Sequence, residues 1–165
     1  MAQVLASASI PYAVGGSCLL YSLGLADRMH DVDFTIDADL AQVLRALRGL
    51  TWHHAQHGDP PFASAYRLTI AISGPAVDLI GSFAIETAVG VCHLPTLVHS
   101  MWRGLPVASP EVWAVAYHLM KRREQADMLC KFIRGHGAQE GAVQALLRQP
   151  LPDELRREVA AWSNI

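Results

Sequence analysis

Asp31 and Asp33 stand two residues apart in the run Asp-Val-Asp-Phe-Thr-Ile, and Asp78 interrupts the apolar run Ala-Val-Asp-Leu-Ile. Alternate side chains of an extended strand share a face, so Asp31 and Asp33 point to the same side. Carboxylates in half-buried positions are costly unless something neutralises them, and three on one surface repel one another. A divalent cation removes that cost. Mg²⁺ (or Mn²⁺) is a hard ion that takes carboxylate oxygens together with substrate phosphates. Upstream, Gly15, Gly16 and Ser17 open a helix. Glycines let backbone amides approach a phosphate closely, and a helix N-terminus favours negative charge. An anion cradle, a carboxylate pair and a third acid are the parts of metal-assisted phosphoryl or nucleotidyl transfer. The expectation is that Asp31, Asp33 and Asp78 are the catalytic and metal-binding residues. Gly15, Gly16 and Ser17 are expected to bind the nucleotide.

The elements that must position these residues follow from pattern. Residues 11–14 read as a short strand, and Ser17 as the N-cap of a helix carrying Leu19, Leu20 and Leu23, ending near Gly24. Residues 31–36 alternate acid with apolar, the period of a half-buried strand. Asp37 or Asp39 can cap the next helix, built on Leu40, Val43, Leu44 and Leu47. Residues 51–63 are polar, His-rich and broken by proline, so they read as a loop. Tyr66, Leu68, Ile70 and Ile72 alternate with polar or small residues as a strand. Ser73-Gly74-Pro75 is a turn signal, and 76–80 is the hairpin partner. Residues 105–108 read as a further strand. Ser109 caps a helix with Pro110 at its first position, apolar nearly all round and running to about Lys121. Three more helices follow, around 128–133, 143–147 and 155–162. On the helix that Ser109 caps, Trp113 and Tyr117 lie four apart on one face, where core packing is favoured over base stacking.

The order Gly16-Ser17, thirteen residues, Asp31-Val32-Asp33-Phe34 and a later strand Asp78 resembles the minimal nucleotidyltransferases of the polymerase-beta-like superfamily. That resemblance implies an α/β (α+β) fold: a small mixed or antiparallel sheet flanked by helices, with a C-terminal helical tail. It divides the chain into a core, 1–108, and a tail, 109–165. It implies an enzyme that moves a nucleoside monophosphate from an NTP to an acceptor hydroxyl or phosphate and releases pyrophosphate. Asp78 would bind one metal ion and help deprotonate the acceptor. The segments Pro106-Val107-Ala108-Ser109-Pro110-Glu111 and Arg123-Glu124-Gln125-Ala126-Asp127 are similar to tails of the abortive-infection toxin type, which implies an antitoxin-type protein partner. Where such tails carry a lysine this chain has Tyr117, and Arg123-Glu124 replaces Lys-Asp. The chain has only two lysines, Lys121 and Lys131. Lys121, one helical turn beyond Tyr117, is thereby the candidate for triphosphate contact, with Arg123 beside it; Arg122 is a further cation that could meet phosphate. The acceptor is left open among a small molecule, a tRNA end and a protein side chain. The alternative is an inactive member that binds a nucleotide or a partner without turnover.

Composition bounds these readings. A chain of 165 residues with 52% hydrophobic and 17% charged residues folds on its own core rather than remaining disordered. Its mean hydropathy of +0.21 comes without an apolar run of membrane-spanning length. The start shows no signal-peptide pattern. A net charge of -2 gives no bulk attraction to nucleic acid. Three scattered cysteines, Cys18, Cys92 and Cys130, suit buried thiols in a reduced, cytoplasmic setting. His53, His54 and His57 have metal-like spacing, but only Asp59 accompanies them, so an exposed loop near the substrate mouth is favoured over a zinc site.

Overall fold

A computed structural model describes residues 1–54, 61–71 and 74–163. Its centre is β2 (Asp31–Ile36), whose alternation of acid and apolar residues gives it one core face and one polar face. On one side β2 pairs antiparallel with β1 (Tyr12–Gly15). On the other it pairs parallel with β5 (Ala76–Gly81), which in turn pairs antiparallel with β4 (Tyr66–Ile70). The β4–β5 hairpin is the one expected from the two alternating runs. Ile72 and Ser73, expected to finish the strand and begin the turn, lie outside the described residues. A short strand, β3 (Trp52–His54), extends the edge beyond β4, and β9 (Leu105–Ala108) and β8 (Val98–Trp102) extend the opposite edge beyond β1. The result is a mixed seven-stranded sheet in the order β3-β4-β5-β2-β1-β9-β8.

Two features depart from the sequence reading. β3 falls where a loop is expected: it is an edge strand of three residues whose two histidines are exposed, so no apolar alternation announces it. Its partner β4 supplies the order. His53 and His54 therefore sit on a strand, whereas His57 and Asp59 lie outside the described residues. Helix α1 (Ala2–Ser7) also carries no clear pattern and is anchored by one fully buried side chain, Leu5. The stretch after β5 folds as a separate hairpin of β6 (Ala84–Thr87) and β7 (Gly90–His93). Arg103 and Gly104, both at positive φ (49° and 80°), form the two-residue connection of β8 and β9, as tight hairpins require.

Helices cover the sheet. The chain from β1 to β2 passes through α2 (Gly16–Ser22), and that from β2 to β3 through α3 (Leu40–Ala46), capped by Asp39, which accepts from Gln42 N at 2.7 Å. Asp37 accepts instead from Thr96 N and Oγ1, both at 3.0 Å. After β9 the chain is helical: α4 (Pro110–Leu119), α5 (Arg123–His136), α6 (Glu140–Leu147) and α7 (Asp153–Trp162). α4 is buried along most of its length because it is apolar on every side. Ser109 caps it, accepting from Val112 N at 3.2 Å and donating to Glu111 Oε2 at 2.5 Å. Glu111, 1% exposed, accepts from Gln139 N at 2.7 Å with its other oxygen, which ties α4 to the start of α6. The three cysteines are buried and unpaired. Among the described residues no helix is long and apolar enough to cross a membrane.

Because Ser109 both caps α4 and supplies a proton to a buried carboxylate, Ser109→Ala should lower unfolding free energy by about 1–2 kcal/mol. Urea denaturation followed by circular dichroism measures this; a change below about 0.5 kcal/mol would show that Glu111 finds its second partner elsewhere.

Candidate functional site

The strand register assembles the site. Asp33 is the direct neighbour of Asp78 across the β2–β5 ladder, and Asp78 is the direct neighbour of Thr69 across β5–β4. Asp31 lies two residues before Asp33, and Arg67 two before Thr69. All five side chains therefore stand on one face of the sheet.

The glycine bend lies against this face. Gly16 is at φ +58°, and a Cβ there would strike the Asp33 carboxylate, while a Cβ on Gly15 would strike the Trp113 indole. Both glycines are thus needed for close approach of an acid and an aromatic ring, whatever they do for a ligand. Ser17 is not the helix N-cap that the sequence suggests. α2 begins from Gly15 with no side-chain cap, and the Ser17 hydroxyl turns to the next strand. It accepts from His30 N at 3.0 Å and Asp31 N at 3.3 Å. Its own proton lies between Asp31 O at 3.0 Å and Asp31 Oδ1 at 2.9 Å. Ser17 therefore fixes where β2 starts and how Asp31 is held.

Asp33 is half-buried at the cleft floor. Its pKa is raised to about 7, first by burial, then by the charges of Asp31 and Asp78; Arg67 and Arg122 act in the opposite sense. Asp78 is nearly buried and engaged on both oxygens: Arg67 Nη2 donates to Oδ2 at 2.5 Å and Thr69 Oγ1 to Oδ1 at 2.6 Å. Among the described residues no three His, Cys, Asp or Glu side chains form a ready cage for an ion. The expectation of three gathered carboxylates thus differs from the side-chain arrangement. Asp78 shares the face but is drawn toward β4 by partners that the sequence did not flag. Asp31 and Asp33 remain a carboxylate pair whose mutual charge a hard cation would relieve.

Two cavities meet at these acids. A groove of about 690 Å³ runs along Ser17, Arg28, His30, Tyr117 and Glu124, within the size range that takes small-molecule ligands. A narrower slot is walled by Phe62, Ile80, Phe83, Trp113, Met120 and Arg67. Asp31, Asp33 and Arg122 line both. Trp113 and Tyr117 are buried, with ring centroids 5.5 Å apart, and Trp113 lies 5.5 Å from Phe83. They are core residues that also wall the cleft. Burial, followed by the nearby Asp33 charge, pushes the Tyr117 phenol well above its ordinary value.

Lys121 and Arg123 stand elsewhere. Both line a different groove, with Thr87, Asp127 and Glu154. Lys121 takes φ +60° in the corner between α4 and α5, so neighbouring residues there face different sides. Of the three consecutive cations at this corner, Arg122 is the one that lines the cavities of the acids. Arg67 and Phe62 carried no sequence signal, since an arginine on the polar side of a strand is ordinary.

No protein-family model and no curated protein matches the chain. Solved structures do. A candidate nucleotidyltransferase (TM1012) of Thermotoga maritima superposes with a TM-score of 0.58 at 20% identity, over 81% of this chain and 88% of that one. ANT(2")-Ia in complex with adenylyl-2"-tobramycin superposes with a TM-score of 0.56 at 14% identity, over 98% of this chain and 92% of that one. At these identities the likeness shows the fold: the chain has the nucleotidyltransferase fold.

The raised pKa of Asp33 has a sign. The folded state holds the proton more tightly than the unfolded chain, whose carboxyl titrates near 3.8. Its contribution to stability therefore falls as pH rises from about 4 to about 7, and the full penalty persists above that. Asp33→Asn should unfold at higher urea than wild type at pH 8, by more than about 1 kcal/mol, with the gap shrinking toward pH 4.5. Urea midpoints at both pH values in metal-free buffer provide the check; equal gaps at the two would contradict a charged, crowded Asp33.

Proposed function

We propose that the chain transfers a nucleoside monophosphate from an NTP to an acceptor hydroxyl or phosphate, with a divalent cation held by Asp31 and Asp33. The observation that carries this reading is the shared boundary: one carboxylate pair and one arginine line both the groove and the slot. In-line displacement at phosphorus needs the attacking and leaving oxygens on opposite sides of the reacting centre. Cavities meeting at the acids would supply two such sides. The groove on the Ser17 side would take the triphosphate, with Arg122 as its counter-charge, and the slot on the Arg67 side would take the acceptor. Asp31 and Asp33 would hold the cation, whose chemistry there would be stabilisation of the charge that develops on the leaving pyrophosphate.

The chain's own residues divide the remaining work. Gly16 lets Asp33 sit against the bend, Ser17 fixes Asp31, and residues 109–165 supply the wall through Trp113, Tyr117 and Arg122. Asp78 would accept the acceptor's proton once its carboxylate is free of Arg67. The adenylylated tobramycin in complex with one neighbour fits this class of reaction, but the apolar slot gives no reason to transfer that acceptor to this chain. A second reading, a nucleotide-binding module without turnover, is favoured by the engagement of Asp78 with Arg67 and by Tyr117 at the tail position where similar proteins carry lysine.

Incubation of the protein with Mg²⁺, cell extract and each of four α-³²P-labelled NTPs should yield a labelled acceptor and pyrophosphate. Asp33→Asn should reduce labelling by roughly a thousandfold or more while remaining folded. Saturable Mg·NTP binding with no labelled product under any NTP would favour the binding module instead.

A further inference from the structure

The edge of the acid face holds an ion pair that transfer, as proposed above, must break. Asp78 is 8% exposed, and both its oxygens are bonded on the β4 side. Its partner is held less firmly. The Arg67 side chain is 35% exposed in the slot. Among the described residues its Nε is buried without a hydrogen-bond partner, and its guanidinium carbon lies 5.8 Å from the centroid of the Phe62 ring. An arginine built as a permanent strut engages a carboxylate with two parallel nitrogens. Here a single nitrogen makes the bond while another donor goes unsatisfied, which costs free energy. Among the described residues one ion pair and one ring face hold the guanidinium.

The carboxylate has competing claims. A cation held by Asp31 and Asp33 that also draws in Asp78 needs a lone pair of that carboxylate, and Arg67 occupies one on Oδ2 while Thr69 occupies one on Oδ1. We propose that Arg67 is a latch on Asp78. In the metal-free protein it neutralises this acid and holds it against β4. A divalent cation entering the acid face exchanges partners, taking Asp78 and returning the guanidinium to the slot it already lines. The exchange replaces one cationic partner of Asp78 by another, the entering ion adding two positive charges to a face that carries three carboxylates, and the third acid becomes available only when metal is present. Arg67 is in this sense a positioning residue, acting through Asp78. The inference rests on the metal-dependent transfer reading, but its test is on binding alone.

The test is Mn²⁺ titration of the full chain, with free Mn²⁺ followed by electron paramagnetic resonance, for wild type, Arg67→Met, Asp78→Asn and the double variant. Methionine keeps an unbranched apolar stem under Phe62. Arg67→Met should tighten Mn²⁺ about tenfold in the wild-type background, the loss of about one charge-assisted hydrogen bond. In the Asp78→Asn background it should change affinity by less than about twofold, because the latch has nothing to hold. The metal-induced rise in melting temperature should follow the same pattern. Should Arg67→Met not fold, Arg67→Gln keeps a neutral hydrogen bond to Asp78 and should show a smaller gain of the same sign. Equal gains in both backgrounds would mean a plain field effect, and no gain would mean a fixed tie; either overturns the latch while leaving metal binding intact. Absence of Mn²⁺ binding in every variant would overturn the latch and the metal-dependent reading together.

Discussion

Like charge held at close quarters is the constraint on which this structure turns. The parallel register of β2 with β5 sets Asp33 beside Asp78, and the pleat of β2 sets Asp31 on the same face. Left alone, three carboxylates so placed would spread apart or stay protonated. The fold prevents spreading: Ser17 pins Asp31, the missing Cβ of Gly16 admits Asp33, and Thr69 with Arg67 holds Asp78. It also partly compensates the charge, with Arg67 and Arg122 both lowering the proton affinity of Asp33 against the larger effect of burial and acid neighbours. The site is a region of stored electrostatic cost, which a cationic ligand can recover.

How much of this was legible in the sequence follows from the range of each interaction. The strands bearing Asp31, Asp33 and Asp78 were legible because alternation in the first and a short apolar run in the second are local signals. Ser109 as a cap and Pro110 at the first turn were legible because capping is decided within four residues. β3 was not, because an edge strand of three residues takes its order from a neighbour rather than from its own pattern. Ser17 shows the limit most plainly. Its place before an apolar helix is a cap signature, yet its hydroxyl serves a strand fourteen residues later. No local rule weighs that competing partner.

The acid site shows the same boundary between backbone and side chain. Spacing and strand period fix which face each aspartate occupies. They do not fix what each carboxylate touches, because Arg67 and Thr69 come from β4, and an arginine there looks like any solvated strand residue. The helical corner is similar. A left-handed Lys121 between α4 and α5 decides that Arg122, and not its two cationic neighbours, faces the acids. A positive φ at a lysine has no sequence signature.

Arginine rather than lysine at the acid face has a physical consequence. The cations lining the cleft are arginines, and a guanidinium stays charged at any pH the protein meets. Its weak hydration lets it sit against aromatic rings, as Arg67 does under Phe62. A lysine in the Arg67 position would be strongly hydrated and would have no planar face to rest on the ring. It would then either stay in solvent, leaving Asp78 unneutralised, or bind the carboxylate as a point charge. The planar group can do something else: leave the carboxylate without leaving the slot, since the ring can still carry it. An acid face that must be quiet without a cation and available with one is better served by such a partner than by a fixed one.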